Sequence, residues 1–176
     1  VLAATIVVAV TSLIDLSTLR RAWRYDRADA AALLATAAGV LALGVEAGVL
    51  LGVALSLGVV VWRSSHPHMA VVGRVPGTEH FRNVSRHRVE TVDGVLAVRI
   101  DENLFFANAH EVETQLQQLS TAQSSPVRRV LLIMSAVNRI DSTALDMLEA
   151  FDQQLTSRGQ ELWLAEVKGP VADRLA

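Results

Sequence analysis

Hydrophobic and polar positions divide this chain abruptly between Trp62 and Arg63. Ahead of that point, three stretches (1–14, 30–45 and 48–62) carry no charged side chain. Behind it, charges recur every few residues, and strand-like and helix-like periodicities alternate. The pattern predicts a membrane portion over 1–62, a linker over 63–86 and a soluble α/β domain over 87–176. As a helix the first stretch rises about 21 Å at ~1.5 Å per residue, short of a ~30 Å hydrocarbon core. A continuous helix from 30 to 62 is about 50 Å long, too long for one span. Glu46-Ala47-Gly48 predicts a break there, and hence a helical hairpin.

The soluble part carries shorter periodicities. Residues 95–100 (VLAVRI) alternate and follow Asp93-Gly94, a hairpin-type turn that offers 89–92 as a partner. From 107 to 119, Ala109, Val112, Leu116 and Leu119 mark one face of an amphipathic helix. Pro126 precedes 127–134 (VRRVLLIM), whose continuous apolar end predicts a central buried strand. Over 142–155, Leu145, Leu148, Phe151 (or Met147) and Leu155 share a helix face, with Gly159 as the stop. Residues 161–167 read as a strand, and Gly169-Pro170 opens a helix with proline in its first turn. Alternating strands and helices predict a mixed sheet with helices packed against it.

Charge placement adds orientation. Arg20, Arg21, Arg24 and Arg27 flank one end of the apolar stretches, and Arg63, Arg74 and Arg82 follow the other. Cationic residues concentrate on the cytoplasmic side, and a hairpin returns both ends to one face. This predicts a multi-pass protein of the cell membrane whose soluble domain is cytoplasmic. Between the first run and the hairpin, Leu16, Leu19 and Trp23 recur at i, i+3 and i+7, apart from the arginines. That spacing predicts a short helix at the bilayer interface, with Trp23 at headgroup depth, as against a plain polar connection. Gly48-x-x-x-Gly52 permits close helix contact within a bundle. Glu46, the one acid between the two arms of the hairpin, is either a functional intramembrane acid or a turn residue facing water.

Composition narrows the chemistry. The chain has 176 residues, 51% of them hydrophobic, and a formal net charge of −2. Neither half is basic enough for a nucleic acid polymer as partner. The absence of cysteine removes disulfides, thiolate metal sites and cysteine nucleophiles. His66 and His68 form a His-x-His pair, but no further ligand cluster lies beside them, so an exposed linker is the better reading and no metal is expected. No nucleophile elbow, paired-carboxylate signature or glycine-rich phosphate cradle appears, so neither an enzyme nor a cofactor is expected. The chain opens inside an apolar run at Val1 and closes inside a helical pattern, which reads as a piece of a longer membrane protein.

One local constellation carries candidate chemistry. Asp141, Ser142 and Thr143 join the end of the buried strand to a helix N-terminus. Asp141 or Ser142 can cap free backbone N–H groups there. The same groups and the helix dipole also favour an anion or a phosphorylated hydroxyl.

Five stretches carry a family resemblance: LGVEAGVLLGVALSL, VWRSSHPHMAVVGRVPGTEHFRNV, RIDENLFFANAHEV, IDSTALDML and WLAEVKGPVADRL, in this order. They resemble the C-terminal end of SulP-type anion permeases, the sulfate-permease family. The soluble part is similar to a STAS domain, as in bacterial anti-sigma-factor antagonists. The resemblance implies a secondary active anion transporter built from two inverted seven-helix repeats, its anion site between two half-helices. These residues then supply the last membrane segments, on the gate side, and no substrate-binding residue. It also implies that Thr143, the second hydroxyl of the Asp-Ser-Thr motif, is the regulatory phosphorylation position. The final strand and helix usual for the domain are missing. Expected partners are the lipid bilayer, a small anion bound outside this piece, a second copy in a homodimer, and a cytoplasmic protein or nucleotide at the STAS domain. The alternative is a membrane-tethered STAS signalling module.

Overall fold

The computed structural model of the chain describes residues 16–123 and 125–175. The apolar run at 1–14 lies outside the described residues. Two compact units divide at Trp62–Arg63, the point where polarity changes.

In the first unit, helix α1 (Leu16–Tyr25) is followed after one residue by α2 (Arg27–Leu43), and α3 (Val45–Ser64) begins here and runs past the boundary. Asp26 turns the chain between α1 and α2: its Oδ1 accepts from Ala28 N at 2.7 Å, satisfying a free N–H at the start of α2. The hairpin breaks at Gly44, two residues before the predicted position. Gly44 takes φ +89°, a left-handed conformation that an L side chain resists, and its N–H caps Val40 O. Glu46 therefore lies in the first turn of α3, where it is exposed.

Gly48, expected to help break the helix, instead sits inside α3 and is buried. A Cβ there would lie 2.4 Å from Val40 N on α2, and one on Gly52 would lie 2.6 Å from the Thr36 side chain. Both positions must lack a side chain for the arms to approach this closely. With 20 residues, and a mean hydropathy of 2.1 over its most apolar 18, α3 is long and apolar enough to cross a bilayer.

In the second unit, a five-stranded mixed sheet has the order β2-β1-β3-β4-β5. Its strands are β1 (Met69–Arg74), β2 (Phe81–Asn83), β3 (Val95–Ile100), β4 (Arg129–Ile133) and β5 (Glu161–Ala165). β1 pairs antiparallel with both β2 and β3, while β3, β4 and β5 run parallel. Helices α4 (Ala109–Thr121), α5 (Ser142–Ser157) and α6 (Gly169–Leu175) complete the unit.

Two sequence expectations are corrected here. Segment 63–86 is not simply an exposed linker, because it contains β1 and β2. Nor does 89–92 form the hairpin partner of β3, both of whose edges are taken by β1 and β4. Val92 O instead accepts Val95 N in a tight turn, and Glu90 bridges Arg74.

Strand alternation separates two cores. Leu96, Val98 and Ile100 of β3 with Val130 and Leu132 of β4 face Val112, Leu116, Leu148, Phe151 and Leu155 of α4 and α5. Ala70, Val72 and Ile133 form a smaller cluster on the other face of the sheet. Removing apolar area from water at ~25 cal/mol per Å² makes the helix-covered face the main stabilising contact of the domain. It also fixes α5, and so the loop at its N-terminus, against the carboxyl ends of the parallel strands.

Candidate functional site

The loop from Met134 to Asp141 leaves β4 and enters α5. Asp141 is the N-cap, with extended φ/ψ of −101° and 176°. Its Oδ1 accepts from Ala144 N at 2.9 Å, satisfying one of the helix's free donors. Its Oδ2 accepts from Phe106 N at 2.8 Å, on the separate loop that joins β3 to α4. One carboxylate thus serves two segments far apart in sequence. With each oxygen taken by a backbone donor, Asp141 is placed as a structural cap. Ser142 and Thr143, the next two residues, are exposed in the first turn of α5.

Three further contacts join the two loops, and two more tie the second loop to α6 and the residue before it. Leu104 and Ile140 form a short parallel bridge. Asn103 Oδ1 accepts from both Asn138 N and Arg139 N, at 2.8 and 3.1 Å. Arg174 Nη1 on α6 donates to Ile140 O at 2.6 Å, and Lys168 Nζ donates to Asn138 Oδ1 at 2.5 Å. The segment bearing Thr143 is therefore held from behind while its hydroxyls face outward.

Asn108 is the buried polar residue behind this site that sequence reading missed. It is fully buried, and its side chain uses three of its hydrogen-bonding positions. Nδ2 donates to Asn103 O at 2.7 Å and to Ser64 O, in the last turn of α3, at 3.0 Å. Oδ1 accepts from Phe105 N at 3.0 Å. The available signal was Asn108 with Glu111 three residues on, which resembles a capping box. Asn108 does precede α4, but its side chain makes no cap bond and turns back into the loop.

A second polar cluster lies where β1 and β3 meet. Arg99 Nε and Nη2 donate to Asp101 Oδ1 and Oδ2 at 2.6 and 3.0 Å, a two-point pair of fixed geometry. His68 Nδ1 lies 2.9 Å from Asp101 Oδ2. The hydrogen bonds from Arg99 hold the Asp101 carboxyl below the usual carboxylate range, against the opposing effect of partial burial, and His68 adds to the same direction. The bond to Asp101 raises the Arg99 guanidinium in turn. His68 is thereby tied to the sheet, whereas His66 bonds Ser65 Oγ at 3.0 Å.

No residue of the Asp141 loop pairs a nucleophile with a general base among the described residues. What the arrangement offers is a rigid helix N-terminus with two outward hydroxyls. A phosphoryl group on Thr143 would meet the positive end of α5, at the cost of proximity to the Asp141 carboxylate.

Comparison with known proteins places this geometry. The family model of the STAS domain matches residues 86–176. "Sulfate transporter 4.1, chloroplastic" of Arabidopsis thaliana is 35% identical over 171 residues, covering 92% of this chain and 25% of the relative. A probable sulfate transporter of Mycobacterium tuberculosis is 35% identical over 175 residues, covering 99% of this chain and 31% of the relative. The chain thus spans about a quarter to a third of the curated relatives it matches. Murine Solute Carrier 26 family member A9, an anion transporter solved in the inward-facing state, aligns with a TM-score of 0.82 at 22% identity. That alignment covers 94% of this chain and 26% of the murine one, and at this identity it speaks for the fold.

Proposed function

Because this chain belongs to the STAS-domain family, as the C-terminal region of a SulP/SLC26-type protein, we propose that it is the regulatory end of a secondary active anion transporter. The observation that carries this reading is the order of parts. An apolar hairpin leads through α3 directly into a STAS sheet, and relatives named sulfate transporters share that order at 35% identity over nearly the whole chain.

Residues 1–62 then belong to the gate-side membrane segments, and the domain after Trp62 is cytoplasmic, as the flanking arginines favour. The anion is sulfate or a related small anion, held by helices outside these residues. The STAS domain regulates transport, with a second copy, a cytoplasmic protein or a nucleotide as its partner. Asp141 fixes the α5 N-terminus, and Thr143 is the position at which phosphorylation acts. We read the chain as having no catalytic activity of its own.

Uptake of radiolabelled sulfate, bicarbonate and dicarboxylate into vesicles carrying the full-length protein tests this reading. Concentrative uptake of at least one of them, competed by the unlabelled anion, is expected. Vesicles that take up none of the three would favour the tethered signalling module instead.

A further inference from the structure

The first unit contains a concavity of about 1080 Å³ between α1 and Leu34 of α2. Arg20, Arg21 and Arg24 line it, together with Trp23 and Leu34. At ~100° per residue the three arginines occupy a single arc of roughly 100° on α1, and Trp23 lies beside that arc. All three arginines are exposed, and none is paired with a carboxylate among the described residues. Trp23 and Leu34 present apolar surface at the same opening, 55% and 43% exposed.

Three cations that have no carboxylate partner among the described residues, beside an aromatic ring and an aliphatic side chain, match a ligand that is anionic at one end and apolar at the other. A free inorganic anion would leave the apolar wall facing water, and a neutral lipid would leave the cations without a counter-charge. We propose that this concavity binds an anionic phospholipid. Arg20, Arg21 and Arg24 hold the headgroup phosphate, and the acyl chains lie along Trp23 and Leu34. The site rests on the reading of residues 1–62 as a membrane portion. Given that reading, α1 lies at headgroup depth, where an ordered lipid anchors the connection between α1 and the hairpin.

Native mass spectrometry of the full-length protein, released from detergent with phosphatidylglycerol and phosphatidylcholine in equal amounts, tests the site. Wild type should retain phosphatidylglycerol preferentially. Each Arg→Gln change at 20, 21 and 24 should weaken that retention about fivefold, the effect of one cation near an anionic surface. The triple Arg→Lys variant, which keeps the charges, should retain the lipid within a few-fold of wild type. Addition of millimolar inorganic phosphate should not displace it.

Equal retention of the two lipids by wild type would overturn the proposal. Retention unchanged in the triple Arg→Gln variant would overturn it as well. Displacement by inorganic phosphate would assign the arginines to a free anion. Carbonate extraction of membranes separates this from the premise. Protein that resists extraction yet shows no lipid preference sinks only the lipid site, whereas protein that is extracted sinks the membrane reading itself.

Discussion

Replacing Asn108 by alanine strips partners from Ser64 O, Asn103 O and Phe105 N together. A polar group left unsatisfied in the interior costs about 1–3 kcal/mol, and partial access to water at these three offsets some of that. We expect Asn108→Ala to destabilise the second unit by about 2 kcal/mol, read as a lowered thermal midpoint. A midpoint equal to wild type would mean that water replaces the amide fully. Asp101 sets a pH dependence of known sign. Its carboxyl is depressed in the folded state, so the stability it contributes is present above its unfolded pKa near 4. That contribution is lost as pH falls through the lower folded value. The stability gap between wild type and Arg99→Gln should therefore be widest near neutral pH and close below about pH 4. A gap that stays constant from pH 7 to pH 3 would assign the effect of Arg99 to packing. Thr143 differs from both because it is exposed. Thr143→Glu should leave stability within about 0.5 kcal/mol of wild type, as surface changes usually do, yet alter uptake or partner binding by the full-length protein. Uptake and binding both unchanged would leave the segment with a capping role alone.

At the level of elements, the hairpin depends on where side chains are absent. Gly48 and Gly52 are buried against Val40 and Thr36, whereas a Cβ on Gly58 of the same helix meets open space. Gly58→Ala should be neutral or gain up to about 1 kcal/mol of helix propensity. Gly48→Ala forces α2 and α3 apart and should cut the yield of monodisperse protein on size exclusion. Equal yields would show that the arms separate without cost. The elements also show what periodicity conveys and what it omits. β4 and α5 were legible because a continuous apolar run and a Leu148–Phe151–Leu155 stripe each carry their own period. β1 was not, since Met69–Arg74 lies between Pro67 and Pro76-Gly77 and gains its identity by pairing with β3, distant in sequence. The hairpin break was misplaced by two residues because Gly44 and Gly48 are alike in the sequence. Only the backbone conformation separates a glycine that turns the chain from one that lets helices touch.

For the whole molecule, the polarity change at Trp62–Arg63 was the clearest sequence signal, and it coincides with the division between units. The candidate loop was half legible. Asp141 was placed at a helix N-terminus by its neighbours, but its second bond to Phe106 N spans 35 residues and leaves no local trace. Asn108 was hidden in part for the same reason, since one of its bonds reaches Ser64 O, 44 residues away. Topology can be checked independently of transport: a protease-sensitive tag placed after Ala176 should be protected in intact cells, and cleavage from outside would reverse the orientation. The central proposal is that these residues regulate a transporter whose anion site lies elsewhere in the protein. Sulfate accumulation in vesicles tests it most directly, with the full-length protein and residues 1–176 alone assayed side by side. Accumulation by the full-length protein and none by residues 1–176 is the expected result; transport by residues 1–176, or by neither, would contradict it.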